Sequence, residues 1–120
     1  MLLFSSVVVA QTDITPQVTA ALKKGDAAAL SGYMMSTVDI TLNDQENNYT
    51  KEEAQKALMN FFKDHTVSNF AVKHQGTSKL DDQYRIGDLQ TSKGLFRVTF
   101  FMKKNGATML IRQLKIEPAQ

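Results

Sequence analysis

The chain has 120 residues, 14 basic and 12 acidic side chains, a formal net charge of +2 and no cysteine. A domain of this length buries roughly two thirds of the surface that its unfolded chain exposes, so packing alone can stabilise it. The absence of cysteine excludes disulfides, thiolate nucleophiles and cysteine-ligated metals. The small, dispersed excess of basic residues argues against a nucleic-acid partner.

The N-terminal segment is apolar and ends in Val8-Val9-Ala10. Modest and small side chains at the end of such a segment are typical of a signal-peptide cleavage site, so we expect cleavage after Ala10. A buried N-terminal strand is the alternative, and the segment is too short to cross a bilayer. We expect a signal-peptide remnant at residues 1–10, one domain at 11–120, a periplasmic or secreted protein, and no transmembrane segment.

Two short helices are predicted next. Thr15-Pro16 is a helix start, with the Thr15 hydroxyl as N-cap and a proline at the first helical position. Gly25 can take the left-handed conformation that ends a helix. Asp26 then caps a second helix, from Ala27 to about Met35.

The segment from Val38 to Leu42 alternates strictly between apolar and polar residues and predicts a strand. Residues 43–48 are polar and predict a loop. Asp44, Glu46 and Asn48 have the spacing of the first calcium ligands in an EF-hand, but the required glycine and closing glutamate are missing. We expect neither a metal nor a cofactor.

The main helix begins with a capping box, Thr50-Lys51-Glu52-Glu53, in which Thr50 and Glu53 satisfy backbone donors reciprocally. Apolar residues then follow at helical spacing and form one face. They are Ala54, Ala57, Leu58, Phe61 and Phe62. A helix with such a face is expected to lie on a sheet.

Beyond His65 the apolar period changes to two. We predict four strands that form an antiparallel meander, joined by turns at residues 79–82, Lys93-Gly94 and Asn105-Gly106. The strands are Asn69 to Ser78, Gln83 to Ser92, Leu95 to Lys104 and Ala107 to Glu117.

Two-residue loops at Lys93-Gly94 and Asn105-Gly106 would place Leu89 opposite Val98 and Phe100 opposite Ile111. One face of the sheet would then be apolar and should receive the main helix. Its residues are Leu89, Phe96, Val98, Phe100, Met102, Met109 and Ile111.

The other face would carry a polar cluster among large apolar groups. It comprises Ile86, Asp88, Gln90, Arg97, Thr99, Phe101, Arg112 and Leu114. A carboxylate between two guanidinium groups stays ionised, which suits anion binding by the arginines. Cross-strand salt bridges on an exposed or dimer-buried face explain the same pattern, and a bulge near Ser92 to Gly94 would dissolve the cluster.

Several sequence stretches resemble a family of exported, functionally uncharacterised bacterial proteins, a domain of unknown function. They are Phe70-x-Val72-x-His74-x-Gly76-x-Ser78, Tyr84-x-Ile86-Gly87-x-Leu89-x-Thr91-x-x-Gly94-x-Phe96-Arg97-Val98-x-Phe100, Lys103-Lys104 and Leu114-x-Ile116-Glu117. The resemblance implies an α+β, cone-shaped, nuclear-transport-factor-2-like fold, with short N-terminal helices and one longer helix on a curved antiparallel sheet. It also implies a hollow usable as a ligand pocket, sheet-to-sheet dimers and no assigned reaction.

We expect that hollow to be lined by Tyr33, Phe62, Phe70, His74 and Tyr84. His74 is in phase with Phe70 and Val72, as a buried core histidine would be, and it is also the candidate for a functional role. The leading hypothesis is an exported, non-catalytic module for a small apolar or anionic ligand, or for interaction with a second copy. The alternative is a small isomerase or dehydratase that uses His74 with Asp39 or a tyrosine.

Overall fold

Six strands form one sheet in the order β2-β1-β6-β5-β4-β3, with three helices on one face. A computed structural model describes residues 12–79 and 81–119, so the predicted leader at 1–10 lies outside the described residues. The elements are α1 (Thr15–Lys24), α2 (Ala27–Ser31), β1 (Met34–Leu42), β2 (Gln45–Thr50), α3 (Lys51–Asp64), β3 (Val67–Thr77), β4 (Gln83–Thr91), β5 (Gly94–Asn105) and β6 (Thr108–Pro118). The α+β class and the β3–β6 meander are confirmed, and β1 joins β6 in parallel.

The start of α1 differs from the prediction. Ile14 is the N-cap residue, and Thr15 is the first helical residue. The carboxylate of Asp13 replaces the predicted cap, because its Oδ1 accepts the Thr15 backbone N–H at 2.9 Å and the Thr15 hydroxyl at 2.6 Å. The end of α1 is as predicted, with Gly25 in the left-handed conformation at φ 61°.

Asp26 caps α2 as predicted, accepting the Ala29 N–H at 3.0 Å. The helix nevertheless ends at Ser31 and not near Met35. The reason is competition from the sheet: the Tyr33 carbonyl accepts the N–H of Ile111, and Met34 pairs with Ile111. Residues that continue the helical pattern are thereby drawn into β1.

Strand β2 was predicted as loop. Asn43 and Asp44 both have positive φ, 49° and 68°, the conformation of a type I′ hairpin turn, and β2 returns along β1 at the sheet edge. Only Tyr49 of β2 is partly buried. A strand exposed on both faces has no apolar alternation, so the pattern gave no signal for it.

The capping box of α3 is confirmed by hydrogen bonds of 2.9 Å and 3.2 Å between Thr50 and Glu53. The apolar face of α3 is buried at Ala54, Leu58, Phe61 and Phe62, while Ala57 is half-buried. The helix lies against β1 and β2 and reaches β5 where the Phe61 ring meets Phe96 edge-on at 5.4 Å. None of the helices in the described part of the chain is long and apolar enough to span a bilayer.

Both tight hairpins close one residue away from the predicted position. Thr91 pairs with Gly94 and Asn105 with Thr108, so the loop residues are 92–93 and 106–107. Leu89 therefore lies opposite Phe96 and not opposite Val98. Each shift changes the register by two, which preserves the faces. All seven residues predicted for the apolar face are buried on the side that the helices cover, which we call the inner face.

A bulge at Arg112 of β6, opposite the step from Phe101 to Met102 in β5, changes the predicted outer face. Beyond it Phe100 pairs with Leu114 and not with Ile111, so Leu114 turns inward and is fully buried. Arg112 moves away from the predicted cluster as well. Its guanidinium lies over the Phe101 ring and is hydrogen-bonded to the buried carboxylate of Asp82. The predicted arrangement of Asp88 between two arginines is therefore wrong.

Candidate functional site

The five residues predicted to line one hollow lie in different parts of the structure. Phe70 is fully buried in the core. Phe62 lines an open groove between α2 and α3, and Tyr33 lines a smaller groove beside α1. Tyr84 and His74 lie on the outer face of the sheet, where Tyr84 contacts Phe101. Each of the four best-defined cavities in the described residues contains at most one of the five.

His74 is exposed because β3 contains a bulge between Val72 and His74. Val72 pairs with Gly87, but His74 pairs with Ile86, so the two side chains lie on opposite faces. The expectation that His74 points the same way as Phe70 is therefore wrong. His74 lines an outer cleft of about 310 Å³ together with Lys73, Ile86, Asp88 and Arg97.

His74 and Asp39, the predicted enzymatic pair, are not brought together. Asp39 is on β1 and His74 on β3, with three strands between them. Four strand spacings correspond to roughly 19 Å along the sheet. Asp39 instead accepts a hydrogen bond of 2.8 Å from the side chain of Asn48.

A cavity of about 300 Å³ opens on the inner face, where the β5–β6 hairpin meets the segment before α1. We call it the Arg85 cavity. Its lining residues are Asp13, Gln83, Arg85, Met102, Lys104 and Met109. Its volume is at the lower end of the range for small-molecule sites in proteins.

Arg85 is the central side chain of this cavity and is only 9% exposed. Its Nε donates to the Thr15 hydroxyl at 3.0 Å, and its Nη1 donates to the Tyr84 carbonyl at 2.9 Å. Nη2 faces the Asp13 carboxylate at 3.6 Å, beyond hydrogen-bonding distance. A guanidinium has five N–H donors, so three make no hydrogen bond within 3.5 Å to the described residues, and the only other polar contact among them is the ion pair of Nη2 with Asp13.

Asp13 is the anion nearest to Arg85, and it remains 59% exposed. Partial burial raises the pKa of the Asp13 carboxyl, but the hydrogen bonds from Thr15 and the charge of Arg85 outweigh burial and lower that pKa below its ordinary value. Asp13 is therefore ionised at neutral pH, and its Oδ1 is occupied by Thr15.

The remaining walls combine apolar and basic groups. Met102 and Met109 are buried and supply a flexible apolar floor. Lys104 lines the mouth and is 61% exposed, with Asp81 at 3.9 Å. Two cations and one carboxylate, Arg85, Lys104 and Asp13, give the lining a net charge of +1. Such a cavity favours an anion that carries an apolar part.

The sequence pattern contains a signal for Arg85, although Arg85 is not among the predicted site residues. Leu89 was placed on the inner face, and alternation places Gly87, Arg85 and Gln83 on that face too. Arg85 is thus a charged side chain on a strand face that carries the core, which is unusual without a partner or a ligand. Asp13 had no such signal, because it precedes α1 and comes close to Arg85 only in the folded chain. Within 12–79 and 81–119, no cluster of three or more metal-ligating side chains is found.

Comparison with known proteins gives a family match and similar folds. A family profile described as Domain of unknown function (DUF4783) matches residues 15–117. The crystal structure of a DUF4783 family protein from Bacteroides ovatus is similar, at 36% identity and TM-score 0.81, over 87% of this chain and 94% of that one. A DUF4783 family protein from Bacteroides fragilis is 31% identical with TM-score 0.83, over 89% and 100% of the two chains.

A more distant similarity identifies the fold class. An NTF2-like protein of unknown function from Cytophaga hutchinsonii shares 10% identity and a TM-score of 0.61, over 95% of this chain and 92% of that one. At this identity the similarity concerns the fold alone. The predicted nuclear-transport-factor-2-like (NTF2-like) fold is thereby confirmed. No match was found among curated proteins.

Proposed function

Because the chain belongs to the DUF4783 family of domains of unknown function, we propose its function from the site itself: a non-catalytic module that binds a small ligand in the Arg85 cavity. Fold alone does not assign a function, since NTF2-like domains in general support several. The proposal therefore depends on the chemistry of the cavity.

The observation that carries the proposal is a buried guanidinium with unused donors. Arg85 lies on the inner face of β4, and only two of its N–H groups are hydrogen-bonded in the described residues. A buried charge that lacks hydrogen bonds is costly, and it is retained where a ligand or ordered water completes its shell. The cavity in front of Arg85 has room for such a ligand.

The geometry supports binding more than catalysis. A general base works best with a pKa near the operating pH, whereas the lowered pKa of Asp13 makes its carboxylate a weak base. The residues of the enzymatic alternative are His74 on β3 and Asp39 on β1, and three strands of the sheet separate them. No acid–base pair is assembled in the Arg85 cavity by the described residues.

The proposal includes two further parts. The apolar segment at residues 1–10 supports export, which N-terminal sequencing of the protein recovered from cell fractions tests.

The outer face supports a homodimer, because Asp88, Arg97 and Glu117 lie side by side on β4, β5 and β6 and alternate in charge. A second copy turned by a two-fold axis can place its acidic residues on Arg97.

A thermal-shift screen tests the binding function. The probes are straight-chain carboxylates, alcohols and amines, and a true ligand raises the melting temperature in a saturable manner. Met109→Trp, which fills the cavity, should remove the shift, whereas Leu95→Trp at the exposed position on the outer face should keep it. An equal shift in both variants, or no shift with any probe, would contradict binding in this cavity.

A further inference from the structure

We infer that the Arg85 cavity selects a small monoanion with an unbranched apolar body, and that Asp13 is the internal counter-ion this ligand displaces. The inference depends on the proposed function, since it names the ligand class of the same cavity. The family is described as a domain of unknown function, so the ligand class is inferred from the side chains that line the cavity.

The anion preference follows from the guanidinium. The three remaining donors are one N–H on Nη1 and both on Nη2 of Arg85. Adjacent N–H groups of this kind bind a carboxylate in a bidentate manner, through short and charge-assisted hydrogen bonds. A neutral hydroxyl would leave part of the buried charge uncompensated.

Asp13 is a displaceable partner for three reasons. Its carboxylate lies 3.6 Å from Nη2, so no direct hydrogen bond must be broken. It is 59% exposed, so water can solvate its carboxylate when the ligand takes its place at Arg85. Its Oδ1 is already held by Thr15, so release from Arg85 does not release the start of α1.

The apolar part of the ligand is inferred from the floor. Met102 and Met109 lie beyond the guanidinium and have flexible, unbranched side chains that adapt to an alkyl chain. A cavity of about 300 Å³ excludes large ligands. Lys104 at the mouth adds a second positive charge, while its neighbour Lys103 lies on the other side of β5 and lines no described cavity.

The experiment is calorimetric titration with hexanoate, 1-hexanol and hexylamine at low salt. Hexanoate should bind, and hexanol should bind at least about tenfold more weakly, as the loss of charge-assisted bonds implies. Equal binding of hexanoate and hexanol would overturn the anion class and leave the proposed binding function standing. Failure of all three probes to bind would overturn both.

Variants test the two charged residues separately. Lys104→Gln should weaken the binding of hexanoate several-fold, while the matched Lys103→Gln should not. Equal effects of the two variants would show only a general charge attraction and overturn the cavity's role.

Asp13→Asn and Asp13→Ser, each verified as folded by circular dichroism, should tighten the binding of hexanoate because they remove the competing carboxylate. Weaker binding in both Asp13 variants would overturn the displacement.

Discussion

Arg85 on β4 donates from Nε to the hydroxyl of Thr15, 70 residues earlier in the chain, at 3.0 Å. This bond joins the first turn of α1 to the inner face of the sheet, and the Thr15 hydroxyl also donates to Asp13. Arg85 and Asp13, which both bond to Thr15 or lie beside it, thus attach the N-terminal helix and also line the cavity. The proposed binding site and the attachment of α1 to the sheet therefore share Arg85 and Asp13.

Thr15→Val should lower the free energy of unfolding by about 1–2 kcal/mol, because it leaves a buried charged donor without its acceptor. Thr19→Val is the matched control, since Thr19 is a half-exposed threonine in the same helix. Urea denaturation of both variants measures the difference. Equal stability of the two variants would contradict a contribution from the Arg85 bond.

Stability should fall in acid, and Asp13 should contribute to the fall. A carboxyl whose pKa is lower in the folded than in the unfolded state stabilises the fold above the unfolded value of about 3.9. That stabilisation is lost as the pH falls through the folded value. The pKa of Asp13 is lowered, so wild type should lose stability over this range and Asp13→Asn should lose less.

Urea midpoints measured between about pH 7 and pH 3 test this pH dependence. The stability of Asp13→Asn should still fall in acid, because the backbone N–H of Thr50 lowers the pKa of a second carboxyl, that of Glu53. Thr15→Val should partly flatten the curve as well, since it removes the hydroxyl hydrogen bond that lowers the Asp13 pKa and keeps the backbone N–H bond. Curves of the same shape for wild type and Asp13→Asn would refute the assignment.

Gly87→Ala should destabilise the protein by about 1–3 kcal/mol. Gly87 faces inward beneath the Phe70 ring, and an added Cβ would lie 2.6 Å from Phe70 Cζ and 2.5 Å from the Ala71 carbonyl oxygen. Gly32→Ala is the control. The atom nearest to its new Cβ would be the Ala29 backbone oxygen at 3.3 Å, which is farther away than either contact at Gly87. Thermal melts that rank Gly87→Ala equal to the control would show that the close contact is unimportant.

Arg97→Glu tests the proposed homodimer. It would place a glutamate between Asp88 and Glu117, so that three acidic side chains lie side by side on the face proposed to meet a second copy. Sedimentation should show a dimer for wild type and a monomer for the variant, and Lys56→Glu, an equal charge reversal at an exposed position of α3, should leave the dimer intact. A monomeric wild type would remove the sheet-face interface from the account.

The inner face of the sheet could be predicted from the sequence because successive side chains of a strand alternate between the two faces. The face of a residue therefore depends only on whether it is an odd or an even number of positions from a known core residue. Both hairpin loops lie one residue from their predicted position, yet a register shift of two leaves Val98 and Ile111 on the same side. Single-residue bulges are different, since they reverse parity. The bulges at Lys73 and Arg112 have no pattern in the sequence, and they place His74 outward and Leu114 inward.

The candidate site could be predicted only in part. Alternation along β4 was sufficient to place Arg85 on the inner face, but its partners come from distant segments. Thr15 and Asp13 approach it through the packing of α1, and Lys104 through the length of the β5–β6 hairpin. Such proximity is a tertiary property, which local patterns do not contain.

The most direct test of the account is amide NMR mapping of hexanoate on the full chain. If hexanoate binds in the Arg85 cavity, the amide chemical shifts should change in a saturable manner around Asp13, Arg85 and Lys104. The amide shifts of His74 and Arg97 on the outer face should stay unchanged. Shifts centred on the outer cleft, or no shifts at all, would contradict the assignment of the binding site to this cavity.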